Sequence, residues 1–246
     1  MAMDSRPATG ERSDRHRTRS VVRSAVPLLV TAIAVIGLMW MGGTLLVNGS
    51  FTGLSRADSV TTEWAVAHRT PLLDGLTHAG TMMADTLVAL GVTAVAVVVL
   101  RWRLGRWRES LIVVVAVVGE LLIFLAITAL VHRDRPPVVR LDEAPPTSSF
   151  PSGHTGAAVA LYACLAVLLL RTVPRRPSAR AMAAVGLAIP VIVAASRIYR
   201  GMHYLSDVVA GAIASGIWLA VVLVVLLRPA PDRRPPADEA SRRAAL

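Results

Sequence analysis

The chain has 246 residues, of which 54% are hydrophobic and only 17% are charged, and the hydrophobic residues form several apolar runs. Soluble domains of this length do not contain repeated apolar runs of about 20 residues, so the composition excludes a soluble protein and indicates a polytopic membrane protein. The net charge is +10 and all 26 basic residues are arginines, but they cluster between the apolar runs, which is typical of topology signals and argues against a nucleic-acid-binding surface.

Six apolar segments are each long enough to cross a membrane, and we predict a transmembrane helix for each of them. In chain order they cover residues 27–47, 72–100, 111–131, 152–170, 181–198 and 205–227. The first is too long for the apolar core of a cleaved signal peptide and precedes no small-residue cleavage site, which favours an uncleaved helix. A short amphipathic segment at 60–67 is expected to rest on the membrane surface. The predicted fold class is an all-α integral membrane protein with six transmembrane helices.

The two ends of the chain differ from this membrane region. Residues 1–25 hold six arginines without apolar periodicity, and residues 229–246 are rich in proline, arginine and aspartate. Neither segment can form a hydrophobic core, so both are predicted to be disordered tails. The domain prediction is therefore one six-helix membrane domain, residues 26–228, between two tails.

Three polar clusters stand where predicted membrane helices end or begin. Residues 132–135 follow the third helix, residues 151–154 precede the fourth, and residues 196–207 connect the fifth to the sixth. Charged side chains between apolar segments are costly, so their presence there indicates a function. We expect the three clusters to form one site at one face of the membrane. Their histidines, arginines, Ser-Gly pair and aspartate suit phosphoryl transfer.

The distribution of arginines predicts which face this is. Residues 1–25, the loops at 101–108 and 171–180, and residues 228–246 together hold 19 of the 26 arginines, and the opposite side holds 7. Under the positive-inside rule both termini are cytoplasmic and the three clusters lie on the extracytoplasmic side. We predict a multi-pass protein of the plasma membrane.

The residue types within the clusters suggest separate roles. His203 and Asp207 are four apart at the start of a helix and share a face, so the aspartate can hold one imidazole nitrogen and leave the other free to attack phosphorus. Ser152 and Gly153 begin a helix, where backbone N–H groups bind phosphate oxygens. Arg135 and Arg197 are candidates for bidentate contacts to the same oxygens.

The three clusters resemble the signature motifs of the type 2 phosphatidic acid phosphatase (PAP2) family, whose superfamily includes bacterial acid phosphatases and vanadium haloperoxidases. They are Arg135-Pro136, Pro151-Ser152-Gly153-His154 and Ser196-Arg197-x5-His203-x3-Asp207. The resemblance covers the third to the sixth helix and implies a PAP2-like helical bundle. It also implies that His203 is the nucleophile of a phosphohistidine intermediate and that His154 protonates the leaving alkoxide.

The first motif departs from the family pattern. The family usually has a lysine seven residues before the arginine of Arg-Pro, where this chain has Thr128, and the chain contains no lysine at all. Arg133 or Arg140 are the alternatives for the missing charge. Thr128, Arg133 and Ser196 are therefore kept as auxiliary site candidates.

Three further ionisable residues, in the predicted second and third helices, lie outside the motifs and are also candidates for a role in the site. Glu120 interrupts the third predicted helix, and it is either a functional carboxylate or a structural partner for an arginine, serine or threonine of the bundle. His78 and Asp85, seven apart in the second predicted helix, share a face and either are hydrated at the membrane boundary or support the site from behind.

The residues and the resemblance together predict a metal-independent lipid phosphatase. Paired cysteines, an HExxH motif, an Asp-rich cluster and a P-loop are all absent from the sequence, so we expect neither a metal nor another cofactor. The candidate substrates are phosphatidic acid, phosphatidylglycerol phosphate and a polyprenyl diphosphate such as undecaprenyl diphosphate, presented by the lipid bilayer. We predict no nucleic-acid partner and no obligate protein partner. The alternatives are a vanadium haloperoxidase-like enzyme and a non-catalytic lipid-binding or transport protein on the same fold.

Overall fold

The computed structural model describes the backbone of residues 9–228, with side chains from residue 24 onward. This part of the chain is helical and contains no strand. Its helices are α1 (Thr9–Val47), α2 (Thr52–Ala67), α3 (Pro71–Met82), α4 (Thr86–Leu104), α5 (Arg108–Leu130), α6 (Gly153–Ala158), α7 (Cys164–Thr172), α8 (Pro177–Tyr199) and α9 (Leu205–Leu226). A π-helical turn, Val159–Ala163, joins α6 to α7.

Six stretches of these helices are long and apolar enough to cross a membrane. They are Ser24–Val47, Thr86–Leu104, Arg108–Leu130, Gly153–Thr172, Pro177–Tyr199 and Leu205–Leu226. The fourth consists of α6, the π-helical turn and α7, and each of the others lies in one helix. The predicted all-α fold with six transmembrane helices is confirmed. Because the number of spans is even, α1 begins and α9 ends at the same face of the bundle.

The second predicted span, residues 72–100, is wrong at its N-terminal end. The chain breaks between α3 and α4, because the Asp85 side chain caps α4 by accepting a backbone N–H at 3.0 Å. α3 is instead a separate short helix that packs along α8. His78 and Asp85 therefore do not share one helical face as predicted, although both lie beside the site described below.

The structure covers only part of the predicted tails. α1 begins at Thr9, so helical backbone extends into the segment 1–25 that was predicted to be disordered. Residues 1–8 and the predicted C-terminal tail, 229–246, lie outside the described residues. The amphipathic segment predicted at 60–67 is the last part of the longer helix α2.

The core of the bundle lies where α1, α5 and α9 pack together. Trp218 of α9 fits against Gly119 of α5, where a Cβ would overlap the indole ring, and its Nε1 donates to the carbonyl of Ala116 at 3.0 Å. This contact fixes α9 against α5. The residues that follow α5 and those that precede α9 therefore emerge side by side at one end of the bundle, where the site is formed.

Candidate active site

A cavity of about 480 Å³ lies between α3, α4, α5, α6 and the segment 131–152 that connects α5 to α6. Residues from all three polar clusters line it: Arg135, Gly153, His154, Arg197 and His203. The structure thus brings the three clusters together, as expected for one site. A volume of this size is in the ordinary range for a pocket that binds a small ligand or the head of a larger one.

A left-handed turn between α8 and α9 places His203. Gly201 has φ 72°, and a Cβ there would lie 2.9 Å from Val138 and 3.2 Å from the carbonyl oxygen of Val139. Glycine is required at this position both for the positive φ and for the close approach of the segment 131–152. The turn therefore sends the chain back under that segment, so that His203 enters the cavity beside Arg135.

The two ring nitrogens of His203 have different surroundings. Nδ1 lies 2.8 Å from the carbonyl oxygen of Ser149 and 3.6 Å from the Asp207 carboxylate, whereas Nε2 is 3.5 Å from Arg135. A carbonyl only accepts, so Nδ1 carries the hydrogen and Nε2 presents a lone pair to the cavity. Burial lowers the pKa of His203, and the nearby Asp207 carboxylate raises it in part. The ring is therefore neutral near pH 7 and can act as a nucleophile.

The sequence-based prediction for Asp207 needs a correction in detail. The shortest contact to His203 Nδ1 comes from the carbonyl of Ser149, a residue that sequence reasoning missed, and not from Asp207. Asp207 is fully buried and accepts hydrogen bonds from the side chains of Ser149 and Arg133 and from the N–H of Tyr204. The aspartate thus orients the histidine through the loop that holds it, with its charge directly behind the ring.

Two arginines that line the cavity are each held by hydrogen bonds and each keep one side-chain donor without a partner in the described part of the chain. Arg135 donates from Nη1 to the carbonyl of Met202 at 2.8 Å, and Arg197 donates from Nη1 to Thr81 at 2.7 Å and to Asp142 at 3.1 Å. The Nε groups of both arginines are buried and have no hydrogen-bond partner among the described residues. Leaving a buried donor unpaired costs about 1–3 kcal/mol. The guanidinium groups of both residues lie on the cavity wall, and guanidinium groups are well suited to bind an anion with several oxygens.

Asp142 is a second residue that sequence reasoning missed. Its carboxylate accepts from Arg200 at 2.6–2.9 Å as well as from Arg197, and so ties the segment 131–152 to the end of α8. Burial alone would raise the pKa of Asp142, but the hydrogen bonds and charges of Arg200 and Arg197 hold it below its ordinary value. Asp142 therefore stays ionised and fixes the orientation of Arg197 before any ligand binds.

Ser152 and Gly153, the two residues predicted to bind phosphate at the start of α6, differ in whether they line the cavity. Ser152 is the N-cap: its hydroxyl accepts from Thr155, and its own N–H donates to the carbonyl of Asp207 at 2.9 Å. It is fully buried and does not line the main cavity. Gly153 does line the cavity, and a Cβ there would lie 2.8 Å from Phe124. The backbone N–H groups of Gly153 and His154 are therefore the ones placed for an anion, and Ser152 supports them as a cap.

The auxiliary candidates lie outside the cavity. Arg133 is bonded to Asp207, to Ser206 at 2.7 Å and to Asp58 at 2.7 Å. The hydroxyl of Thr128 bonds to its own helix, as does that of the buried Ser196 against Gly80. None of the three, nor the exposed Arg140, lines the cavity.

The three ionisable residues predicted as candidates outside the motifs also line the cavity. His78 and Asp85 stand at its α3–α4 side, which is consistent with the alternative that they support the site. Glu120 forms part of the inner end, where it contacts Ser215 of α9 beside Gly156. That contact favours the interpretation of Glu120 as a partner for a serine within the bundle.

The sequence family follows from comparison with known proteins. The family model of the PAP2 superfamily matches residues 83–229. The chain belongs to the PAP2 superfamily. None of the curated protein sequences matches the chain significantly.

Two solved structures share the fold. The chain is similar to the transmembrane PAP2-type phosphatidylglycerolphosphate phosphatase from Bacillus subtilis, with a TM-score of 0.71 and 20% identity, over 82% of this chain and 99% of that one. It is also similar to LpxE from Aquifex aeolicus, with a TM-score of 0.50 and 20% identity, over 68% of this chain and 93% of that one. At this level of identity the likeness shows the fold alone, a PAP2 bundle of membrane helices.

Proposed function

We propose that this PAP2 protein is a membrane lipid phosphatase that hydrolyses a lipid phosphate monoester or diphosphate through a phosphohistidine intermediate. The observation that carries the proposal is a cavity lined by both charged and apolar side chains. Arg135, Arg197 and three histidines line it together with Leu90, Leu121 and Phe124. Leu90 and Leu121 are also exposed on membrane-spanning helices. An amphiphile can therefore place its phosphate among the charges while its tail remains in lipid.

The first step transfers phosphorus to His203. Nε2 attacks phosphorus, the bond from phosphorus to the leaving oxygen breaks, and His154 supplies the proton that the leaving alkoxide needs. The guanidinium groups of Arg135 and Arg197 and the N–H groups at the start of α6 bind the oxygens whose charge rises in the transition state. Nδ1 keeps its hydrogen bond to the carbonyl of Ser149, so the phosphorylated ring is a cation beside Asp207.

The second step releases phosphate. A water molecule attacks the phosphorus of phosphohistidine, and the bond from phosphorus to Nε2 breaks. His154, now deprotonated, accepts the proton of the water, which returns both histidines to their starting states. Every proton transfer is made by residues of the chain, and the mechanism needs no metal ion.

The proposal covers three substrate classes and one side of the membrane. Phosphatidic acid, phosphatidylglycerol phosphate and a polyprenyl diphosphate all combine a terminal phosphate with an apolar tail. The arginine distribution supports a site on the extracytoplasmic face of the plasma membrane. The loops at 105–107 and 173–176 lie at the opposite end of the bundle, and the same distribution favours a cytoplasmic location for them.

Phosphate release from a panel of lipid phosphates in detergent tests the proposal. We expect turnover of at least one of the three classes by the wild type and none by His203→Ala at equal folded protein. The trapped phosphoenzyme should be labile in acid and stable in base, as is typical of phosphohistidine. Binding of the lipids without release of phosphate would instead indicate a non-catalytic lipid-binding protein.

A further inference from the structure

A buried ion network lies behind His203, on the side away from the cavity. Its outermost member is Asp58 of α2, whose side chain is 1% exposed. The carboxylate accepts the N–H of Ser206 at 2.8 Å, the hydroxyl of Ser206 at 2.5 Å and Nη2 of Arg133 at 2.7 Å. Burial of a carboxylate has a desolvation penalty even when three donors satisfy it, and apolar contacts alone could pack α2 against α9 without that penalty.

Arg133 connects this carboxylate to the active site. Its Nη1 donates to Asp207 and to the hydroxyl of Ser206, while Nη2 donates to Asp58. Asp207 is fully buried and its second oxygen lies 3.6 Å from Nδ1 of His203. One guanidinium is thus shared between two buried carboxylates, and the three groups carry a net charge of about −1 behind the imidazole.

We propose that Asp58 is a positioning residue of the phosphoryl-transfer reaction, which acts through Arg133 to keep a negative charge on Asp207 behind His203. Without Asp58, the charge of Arg133 would fall on Asp207 alone, and the pair would be neutral. The imidazole becomes a cation when Nε2 bonds to phosphorus, so a neutral pair would stabilise that step less. This inference rests on the proposed function, and it assigns a role to α2, which precedes residues 83–229 matched by the family model.

Other charged groups around His203 act on the ring independently of Asp58. Arg135 and Arg197 lower its pKa from the cavity side, and His154 of α6 also faces it. All three belong to the cavity wall, whereas Asp58 and Arg133 do not line the cavity. A change at Asp58 should therefore alter the charge behind the ring without altering the groups that bind phosphate.

The test compares Asp58→Asn with the double variant Asp58→Asn/Arg133→Gln. Asp58→Asn keeps the shape but removes one negative charge. We therefore expect kcat to fall on the order of 10-fold, the scale known for residues that orient metal-ligating histidines, with KM changed by less than about 2-fold. The double variant removes one charge of each sign and restores the net charge, so it should recover most of the lost kcat. A purely structural role predicts the reverse, because the double variant loses more hydrogen bonds.

Titration of His203 by NMR of labelled histidine rings gives a readout that does not depend on turnover. The midpoint should move to lower pH in Asp58→Asn and return in the double variant. Glu109→Gln is the matched control, because Glu109 is a carboxylate of 3% exposure paired with Arg106 at the opposite end of α5. It should change neither kcat nor the His203 midpoint.

The outcomes separate this inference from the proposed function. Absence of turnover in the wild type would contradict the proposed function, while the His203 midpoint would still decide the role of Asp58. An unchanged kcat and midpoint in folded Asp58→Asn, or a double variant worse than the single one, would overturn the inference. If Asp58→Asn does not fold, Ser206→Ala removes only the hydroxyl between Asp58 and Arg133, and it must shift both readouts in the same direction by a smaller amount.

Discussion

Replacement of Arg197 by lysine tests whether its guanidinium, and not only its charge, holds the phosphate. Nη1 of Arg197 is occupied by Thr81 and Asp142, while the buried Nε has no partner among the described residues. A lysine ammonium in the same place keeps the charge but cannot reach Thr81, Asp142 and a phosphate along two parallel hydrogen bonds. Arg197→Lys should therefore lose one or two charge-assisted hydrogen bonds to the phosphate in the transition state.

The size of the effect follows from those bonds. Each hydrogen bond to a charged group contributes about 1.5–3 kcal/mol, so the loss of two corresponds to about 3–6 kcal/mol, or a fall in kcat/KM on the order of 10²–10⁴-fold. The assay is release of phosphate from the best lipid substrate, with Arg180→Lys as the control, because Arg180 is exposed on the opposite face. A loss of less than about 5-fold in folded Arg197→Lys would refute the assignment of this arginine to the phosphate.

Three further predictions concern the acid, the anion site and the topology. His154→Ala should lower turnover of a lipid phosphate on the order of 10²–10⁴-fold but affect an aryl phosphate much less, because a nitrophenolate leaves without a proton; equal losses would remove the general-acid role. Activity should survive EDTA, and vanadate should inhibit and raise the unfolding temperature, because it binds beside His203 and the two arginines of the cavity; restoration of a chelated enzyme by Mg²⁺ would contradict the mechanism. In a Cys164→Ala background, an impermeant thiol reagent should label Ala144→Cys but not Ser178→Cys on intact cells; the opposite pattern would invert the topology.

The parts of the fold that could be predicted depend on local chemistry. The length of an apolar run indicates a membrane helix because each backbone group is satisfied within that helix, so five of the six spans were predicted within a few residues. The exception, residues 72–100, is apolar enough to be read as one helix. Its break depends on the Asp85 cap and on the packing of α3 along α8, neither of which hydropathy detects.

Like the fold, the site could be predicted only where the local sequence determines it. Motif spacing placed His203, His154 and the two arginines, but the residues that hold them come from distant parts of the chain. The carbonyl that meets His203 belongs to Ser149, and the carboxylate that shares Arg133 belongs to Asp58. A serine in a proline-rich loop and one aspartate in a short polar helix give no pattern in a single sequence, because their roles arise only when α2, α9 and the segment 131–152 meet.

The lysine missing at Thr128 shows how the site can balance the charge of a phosphate with fewer cations. Neither proposed substitute, Arg133 nor Arg140, lines the cavity, and Arg133 is used by two carboxylates. The two arginines that remain are each fixed from behind through Nη1, by a carbonyl for Arg135 and by a hydroxyl and a carboxylate for Arg197. Donors that are already oriented need no reorganisation when the charge of the transition state develops, so each of them stabilises it more than a mobile lysine would. We therefore expect the replacement of Arg135 or of Arg197 to lower phosphatase activity more than the absence of a lysine at position 128 does.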